Sequence, residues 1–212
     1  MKVTKLDHCC LLIEIRGIRF LTDPGSYTTE QNTVTGVHYV VISHEHTDHL
    51  HIESLKTVLK NNPGAKVVCN SGVGAKLTHE SISFTLIEDG TKLELSGITL
   101  TGHGIKHAPI YKEYEQVENT GIMYDGKLFN PGDSFHNPNI PVDILALPVT
   151  GPWCTIAHAV NYGLEIKPRI AFPIHDGNLR RQNGITVRLP SIELPKVGIQ
   201  FIPLELGKET EL

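Results

Sequence analysis

Nowhere in the 212 residues is there an apolar run of about 18, the length that a membrane-spanning helix needs, and this excludes such a helix. The nearest thing to a leader, the apolar stretch from Cys9 to Ile13, is interrupted at once by Glu14, Arg16 and Arg19, so no signal peptide is expected. Cysteine is scarce and unpatterned. Cys9, Cys10, Cys69 and Cys154 form no C-x-x-C pair, and a bridge between the adjacent Cys9 and Cys10 is strained, which excludes a zinc finger and a disulfide scaffold. Positive charge is neither abundant nor clustered: 19 Lys and Arg against 23 Asp and Glu give a net charge of −4. The electrostatic footprint of a nucleic-acid groove or of an anionic membrane surface is therefore missing. These absences lead to the expectation of a reduced, cytoplasmic, soluble protein with a small-molecule partner, no nucleic acid and no membrane.

What is present is ordinary except in one respect. A hydrophobic share of 40% with 20% charged residues is that of a globular chain and excludes disorder, collagen and coiled coil. The length suggests one domain over residues 1–212, and no short-period repeat points to a solenoid or a propeller. The exception is histidine. Twelve of them is about twice the usual share, so their placement becomes the question.

Hydrophobic patterning predicts an opening hairpin, Cys10 to Glu14 and Gly17 to Thr22, that ends at Asp23-Pro24-Gly25. Val37 to Ser43 is a β-branched run suited to a strand buried on both faces. Ile52, Leu55, Val58 and Leu59 then recur at helical spacing until Asn61-Asn62-Pro63-Gly64 stops the helix, and Ala65 to Cys69 is strand-like again. From Phe84 to Thr101 the pattern reads as hairpins with turns at Glu88-Asp89-Gly90 and Ser96-Gly97, and Asp125-Gly126 marks another. Asp143 to Val149 as a strand, Thr155 to Ile166 as a helix, Arg169 to Ile174 as a strand and Ile199 to Leu206 as a closing strand repeat the order of the first half. A layered α/β sandwich with mixed sheets fits this succession.

Between the buried strand and the helix stands His44-Glu45-His46-Thr47-Asp48-His49. Residues two apart in an extended segment point the same way, so His44 and His46 can grip one metal ion with imidazole nitrogens. As the chain turns into the helix, Asp48 and His49 swing aside, where they can serve a second ion. A chance H-x-H-x-D-H in a chain of this composition has odds on the order of one in a thousand.

HEHTDH resembles the metal-binding signature of the metallo-β-lactamase-fold hydrolases. The opening LDHCCLLIE and FLTDP are similar to the first hairpin of a small branch of that family, the one that includes ascorbate-6-phosphate lactonase, and KHAPI, NPGDS, LPVTGPW and PIHDG follow in the family's order. The resemblance implies a four-layer αββα sandwich of two mixed sheets flanked by helices, with two divalent metal ions where the sheets meet. It implies His44, His46 and a third histidine, His107, on the first ion, Asp48, His49 and His175 on the second, and Asp133 between them. Zinc is the first expectation for the metal, with manganese and iron also suited to these ligands. A hydroxide held between the ions would attack an ester, lactone or phosphoester, with Asp48 holding it and relaying its proton. Asp133 sets the chain apart from the true β-lactamases of the fold.

Spacing alone does not decide between His103 and His107. His103 lies between Gly102 and Gly104, where an imidazole is poorly fixed, whereas Pro109 restrains the backbone after His107. His8 and Asp23 stand as groups that orient ligands or as ordinary hairpin polar residues, and Trp153 as a pocket wall or a loop staple. His38, His51, His79, His136 and His158 are expected in structural or solvated roles, and Cys9 and Cys10 as small buried hydrophobes. Two rival functions share the fold: an iron-dependent oxidoreductase of the persulfide dioxygenase kind, and a metal-binding module without turnover. The di-iron reductases carry Glu in place of the second histidine, which this chain keeps as His46.

Overall fold

The computed structural model describes residues 1–114, 116–179 and 184–212. Strands β1 (Lys2–Asp7), β2 (Cys10–Ile15) and β3 (Ile18–Thr22) form an antiparallel meander. β4 (Tyr39–Ile42), β5 (Lys66–Cys69) and β6 (Phe84–Leu86) continue that sheet in parallel. A second sheet repeats the plan: β7 (Lys92–Leu95), β8 (Ile98–His103), β9 (Gly121–Tyr124) and β10 (Leu128–Asn130) are antiparallel, and β11 (Ile144–Pro148), β12 (Ile170–Ile174) and β13 (Gln200–Phe201) extend it in parallel. The chain ends in β14 (Glu209–Glu211), which crosses back to pair with β1, so each sheet has seven strands.

Side-chain alternation stacks these sheets. Phe20, Tyr39, Val41 and Val68 from the first sheet meet Leu100, Tyr124, Ile144 and Phe172 from the second in one central core. On the outer face of the first sheet, Val40, Ile42 and Val67 pack on Leu55 and Val58 of α1 (Ile52–Asn61) and on Val73 and Leu77 of α2 (Ser71–His79). Leu145, Leu147 and Ala171 do the same for Tyr162 of α3 (Ile156–Ile166) and Val187 of α4 (Ile185–Glu193). The result is the αββα sandwich that the family resemblance implies. Because β4 is covered on both faces, every one of its residues is buried, and this explains its unbroken apolar run. Each fully buried Leu, Ile, Val or Phe contributes about 1.5–3 kcal/mol, so the three cores are what hold the layers together.

Four elements depart from the patterning. Glu88-Asp89-Gly90 is not a hairpin turn: β6 is parallel to β5 in the first sheet and β7 opens the second, with the fully buried Ile87 packed between the sheets at the crossing. The closing strand shrinks to Gln200–Phe201, since Pro203 has no amide to continue the ladder. Helices α2 and α4 carry weak sequence signals, two glycines in one and Pro190 inside the other. Among the described residues, no helix is long and apolar enough to cross a membrane.

Candidate metal centre

The motif loop is shaped by the turn at the end of the first hairpin. Ser26 N donates to Thr47 O at 2.8 Å and His51 N to Pro24 O at 3.1 Å, so Asp23-Pro24-Gly25 lies directly against HEHTDH. A Cβ at Gly25 would collide with the Asp48 carbonyl, which makes glycine a requirement of that close approach. His49 N and Leu50 N both donate to His46 O, and this tight turn is what separates His44 and His46 from Asp48 and His49.

Two groups of side chains converge there. Ligand atoms of His44, His46, His107 and Asp133 lie within 4.8 Å of one another, and so do those of Asp48, His49, Asp133 and His175. Asp133 belongs to both. Its Oδ2 is 3.3 Å from His107 Nε2 and 2.9 Å from His175 Nε2, and its Oδ1 is 3.0 Å from His49 Nε2. His103 is elsewhere, 2.9 Å from the Thr101 hydroxyl and edge-on to Phe129. The structure thus brings together all seven residues named from the sequence, with His107 rather than His103.

The Nε2 atoms of His44, His46, His49, His107 and His175, and Oδ1 of Asp133, are buried and make no properly directed hydrogen bond among the described residues. Buried polar atoms are nearly always paired, so a cluster of orphans aimed at a shared space is what a cation site requires. Imidazole nitrogen with carboxylate oxygen is a donor set that suits zinc, manganese or iron. The residues present fit two divalent ions.

Electrostatics agree with that fit. Burial pushes the Asp133 carboxyl upward, but the positive potential of His175 and His49 outweighs it and holds the group well below the usual carboxylate range. Burial also drives His44 far below an ordinary imidazole and lowers His46, which favours the neutral ring with its free lone pair. For His49 and His175 burial acts in the same sense, yet Asp133 raises both above the usual value. A proton on either ring competes with a metal ion for one lone pair.

An outer layer of bonds fixes these rings. Asp23 Oδ2 lies 3.2 Å from His49 Nδ1, while its Oδ1 accepts the Ser43 amide at 2.7 Å. Ser43 Oγ is 3.0 Å from His44 Nδ1, and His107 Nδ1 donates to the Ala108 carbonyl. Holding the remote nitrogen in this way sets the tautomer that leaves Nε2 free for a cation. Trp153 is buried and donates Nε1–H to Asp133 Oδ2 at 3.1 Å, so it both lines the pocket and staples its loop. Asn119 Oδ1 accepts the Asp133 amide and its Nδ2 donates to Pro131 O, holding the turn before Asp133. His8, Asp23 and His175 adopt positive φ of 46°, 40° and 59°, a strained region for side-chain-bearing residues that the surrounding bonds enforce. Ser43 and Asn119 escaped the sequence reading, since a lone Ser or Asn carries no spacing signal. Cys9, read as a buried hydrophobe, is fully buried with its sulfur close to His49 and His175.

Of the remaining histidines, His38 Nδ1 accepts the Arg19 amide, His51 bonds Ser54 and His158 completes a capping box with Thr155 at the start of α3. A pocket of about 450 Å³ opens over the cluster, walled by Tyr27, Ile110, Val117 and Trp153.

Residues 2–175 match the family described as the Beta-lactamase superfamily domain. Protein Rv0786c of Mycobacterium tuberculosis is 33% identical over 180 residues, covering 82% of this chain and 84% of that protein. A UPF0173 metal-dependent hydrolase of Carboxydothermus hydrogenoformans is 25% identical over 200 residues, covering 82% and 84%. Among solved structures, Igni18, described as a novel metallo hydrolase from the archaeon Ignicoccus hospitalis, aligns at a TM-score of 0.77 and 20% identity, over 100% of this chain and 98% of its own. CmlA, a diiron beta-hydroxylase from Streptomyces venezuelae, shares the fold at a TM-score of 0.78 and 14% identity, over 100% of this chain and 54% of its own. The chain belongs to the beta-lactamase superfamily.

Proposed function

We propose that this protein is a metal-dependent hydrolase of small esters, lactones or phosphoesters. In this reading His44, His46 and His107 hold one divalent ion, Asp48, His49 and His175 hold a second, and Asp133 is shared. The observation that carries it is the set of orphaned buried atoms, five imidazole Nε2 and one Asp133 oxygen, facing a common space under an open pocket. The relative from Carboxydothermus hydrogenoformans described as a metal-dependent hydrolase supports the reaction class.

When bound, two such ions supply an activated water at neutral pH and polarise the substrate oxygen. The protein's own residues divide the remaining work between the two carboxylates. The Asp133 side chain is only 2% exposed and serves as a fixed negative charge; that of Asp48, at 18%, faces the pocket and is the one able to take and pass a proton while substrate is bound. His8 donates to Asp48 Oδ2 and fixes that oxygen's direction. Trp153 and Ile110 wall the pocket beside the reacting groups.

Zinc fits first, with manganese and iron served by the same ligands. The test is metal analysis of the purified protein together with a panel of an ester, a lactone and a phosphodiester. Metal-dependent turnover of at least one, abolished by chelation and restored by metal, is expected. Iron as the bound metal, with oxygen uptake on a persulfide and no hydrolysis, would replace this reading with the oxidoreductase; metal binding with neither activity would replace it with a binding module.

A further inference from the structure

One thiol sits among the imidazoles and none of the ligand assignments uses it. Cys9, Cys10, Cys69 and Cys154 are all buried, but among the described residues only Cys9 has its sulfur grouped with metal-binding side-chain atoms. Its Sγ and one nitrogen each of His8, His49 and His175 lie within 4.8 Å of one another. His49 and His175 also belong to the group that contains Asp48 and Asp133. This pair of imidazoles is therefore shared by two donor sets, one with carboxylate oxygens and one with sulfur.

The nitrogens beside the sulfur are open to a ligand. His175 is 3% exposed, and neither of its ring nitrogens has a directed hydrogen bond among the described residues. The remote nitrogens of His44 and His107 are held by Ser43 and Ala108, and His49 Nδ1 has Asp23 and Ser43 beside it. His175 Nδ1 alone of these four has no partner, and His49 Nε2 is likewise an orphan in a fully buried ring. His8 is already engaged, since its Nδ1 accepts the Gly177 amide and its Nε2 donates to Asp48. The open donors on this side are Cys9, His49 and His175.

The backbone holds Cys9 at this place. Thr22 Oγ1 donates to Cys9 O at 2.8 Å and accepts the Leu11 amide at 3.0 Å, while His175 N donates to His8 O at 3.2 Å. These bonds fasten the turn between β1 and β2 to the end of β12. A group already fixed in this way loses little further freedom when it binds a cation.

We propose that Cys9 is a further metal ligand, its thiolate joining His49 and His175 on the second ion in place of the Asp48 oxygen when that ion is a soft one. The donor follows the metal: thiolate suits zinc and its softer congener cadmium, whereas carboxylate oxygen suits manganese and magnesium. On coordination the S–H bond breaks, sulfur keeps the electron pair and donates it to the ion, and the proton leaves to solvent. No oxidant takes part. This rests on the reading of the cluster as a metal centre and specifies which metals it retains.

Cadmium(II) alone is the probe, because a cadmium–thiolate bond gives an ultraviolet charge-transfer band that nitrogen and oxygen ligands do not. Metal-free protein is titrated with it and followed by absorbance, with bound metal counted in parallel. The band is expected in wild type and lost in Cys9→Ser and Cys9→Ala. It persists in Cys10→Ala, Cys69→Ala and Cys154→Ala, which assigns it to Cys9 by elimination even where a Cys9 variant folds poorly. In competition between cadmium and manganese, the preference for cadmium falls by about tenfold or more in Cys9→Ala. Bound cadmium without the band, a band that survives Cys9→Ala, or an unchanged metal preference overturns the inference alone. Failure to bind metal at all overturns the reading of the cluster as a metal centre and this inference with it.

Discussion

His8 donates from Nε2 to Asp48 Oδ2 at 3.1 Å, while its Nδ1 accepts the Gly177 amide at 3.1 Å. The backbone contact fixes the tautomer, and the tautomer aims the carboxylate. His8 also packs at 4.1 Å on the His175 ring, so a single buried histidine steadies both a carboxylate and an imidazole of the second group. Removing such an orienting bond is expected to cost about 10–100-fold in affinity for the second metal equivalent or in activity. Titrating metal into His8→Ala and His8→Gln checks this: the glutamine variant, which keeps a donor, should recover part of the loss. Affinity equal to wild type in the alanine variant would show that Asp48 needs no such support.

Asp133→Asn is isosteric but removes the negative charge shared by both groups. Metal content and turnover should fall together, while the thermal transition of the metal-free protein moves little, because the Asn119 bond to the backbone amide is untouched. Wild-type metal content with full activity on a validated substrate would remove Asp133 from its shared role.

His107→Ala and His103→Ala separate two neighbours that differ only in geometry. Loss of the first metal equivalent is expected for His107→Ala, whose Nε2 lies 3.3 Å from Asp133, and not for His103→Ala, whose ring contacts Thr101 and Phe129. Metal analysis of the two variants settles the assignment, and the reverse pattern would exchange them.

Beneath the His175 loop, Lys5 Nζ donates to Asp176 Oδ1 at 2.5 Å and to Pro173 O at 2.9 Å, all of it buried. Lys5→Met strands the Asp176 carboxylate and should destabilise the fold by about 3–5 kcal/mol in chemical denaturation. Adding Asp176→Leu to it should recover most of that loss, since an apolar pair of similar volume often replaces a buried ion pair without penalty. A single variant as stable as wild type would mean that the carboxylate finds water or another partner.

Much of this molecule is legible in the sequence because each legible part carries a local pattern. The unbroken run around Val40 marks a strand covered on both faces, and Asp125-Gly126 joins β9 to β10 as the dipeptide predicts. HEHTDH is dense enough to stand out alone. His107, Asp133 and His175, which lie far apart along the chain, could be placed only through resemblance, since their meeting depends on both sheets. What stayed hidden was non-local or locally contradictory. A turn such as Glu88-Asp89-Gly90 looks the same whether the next strand folds back or crosses to another sheet, and Ile87 decides that through packing. Pro190 argues against α4, yet tertiary contacts of Val187 and Leu194 hold it in place. Ser43 and Asn119 do their work through a few individual hydrogen bonds, which leave no periodicity to read.

The central claim is that one cluster of seven side chains holds two metal ions with a shared carboxylate. Metal stoichiometry of the purified protein, measured by inductively coupled plasma mass spectrometry after saturation and removal of excess metal, tests it most directly. The account predicts about two divalent ions per chain, falling towards one in His107→Ala and in His175→Ala, because seven ligands exceed the three or four that a single tetrahedral site takes. A value that stays at or below one in wild type under metal-replete conditions would contradict it.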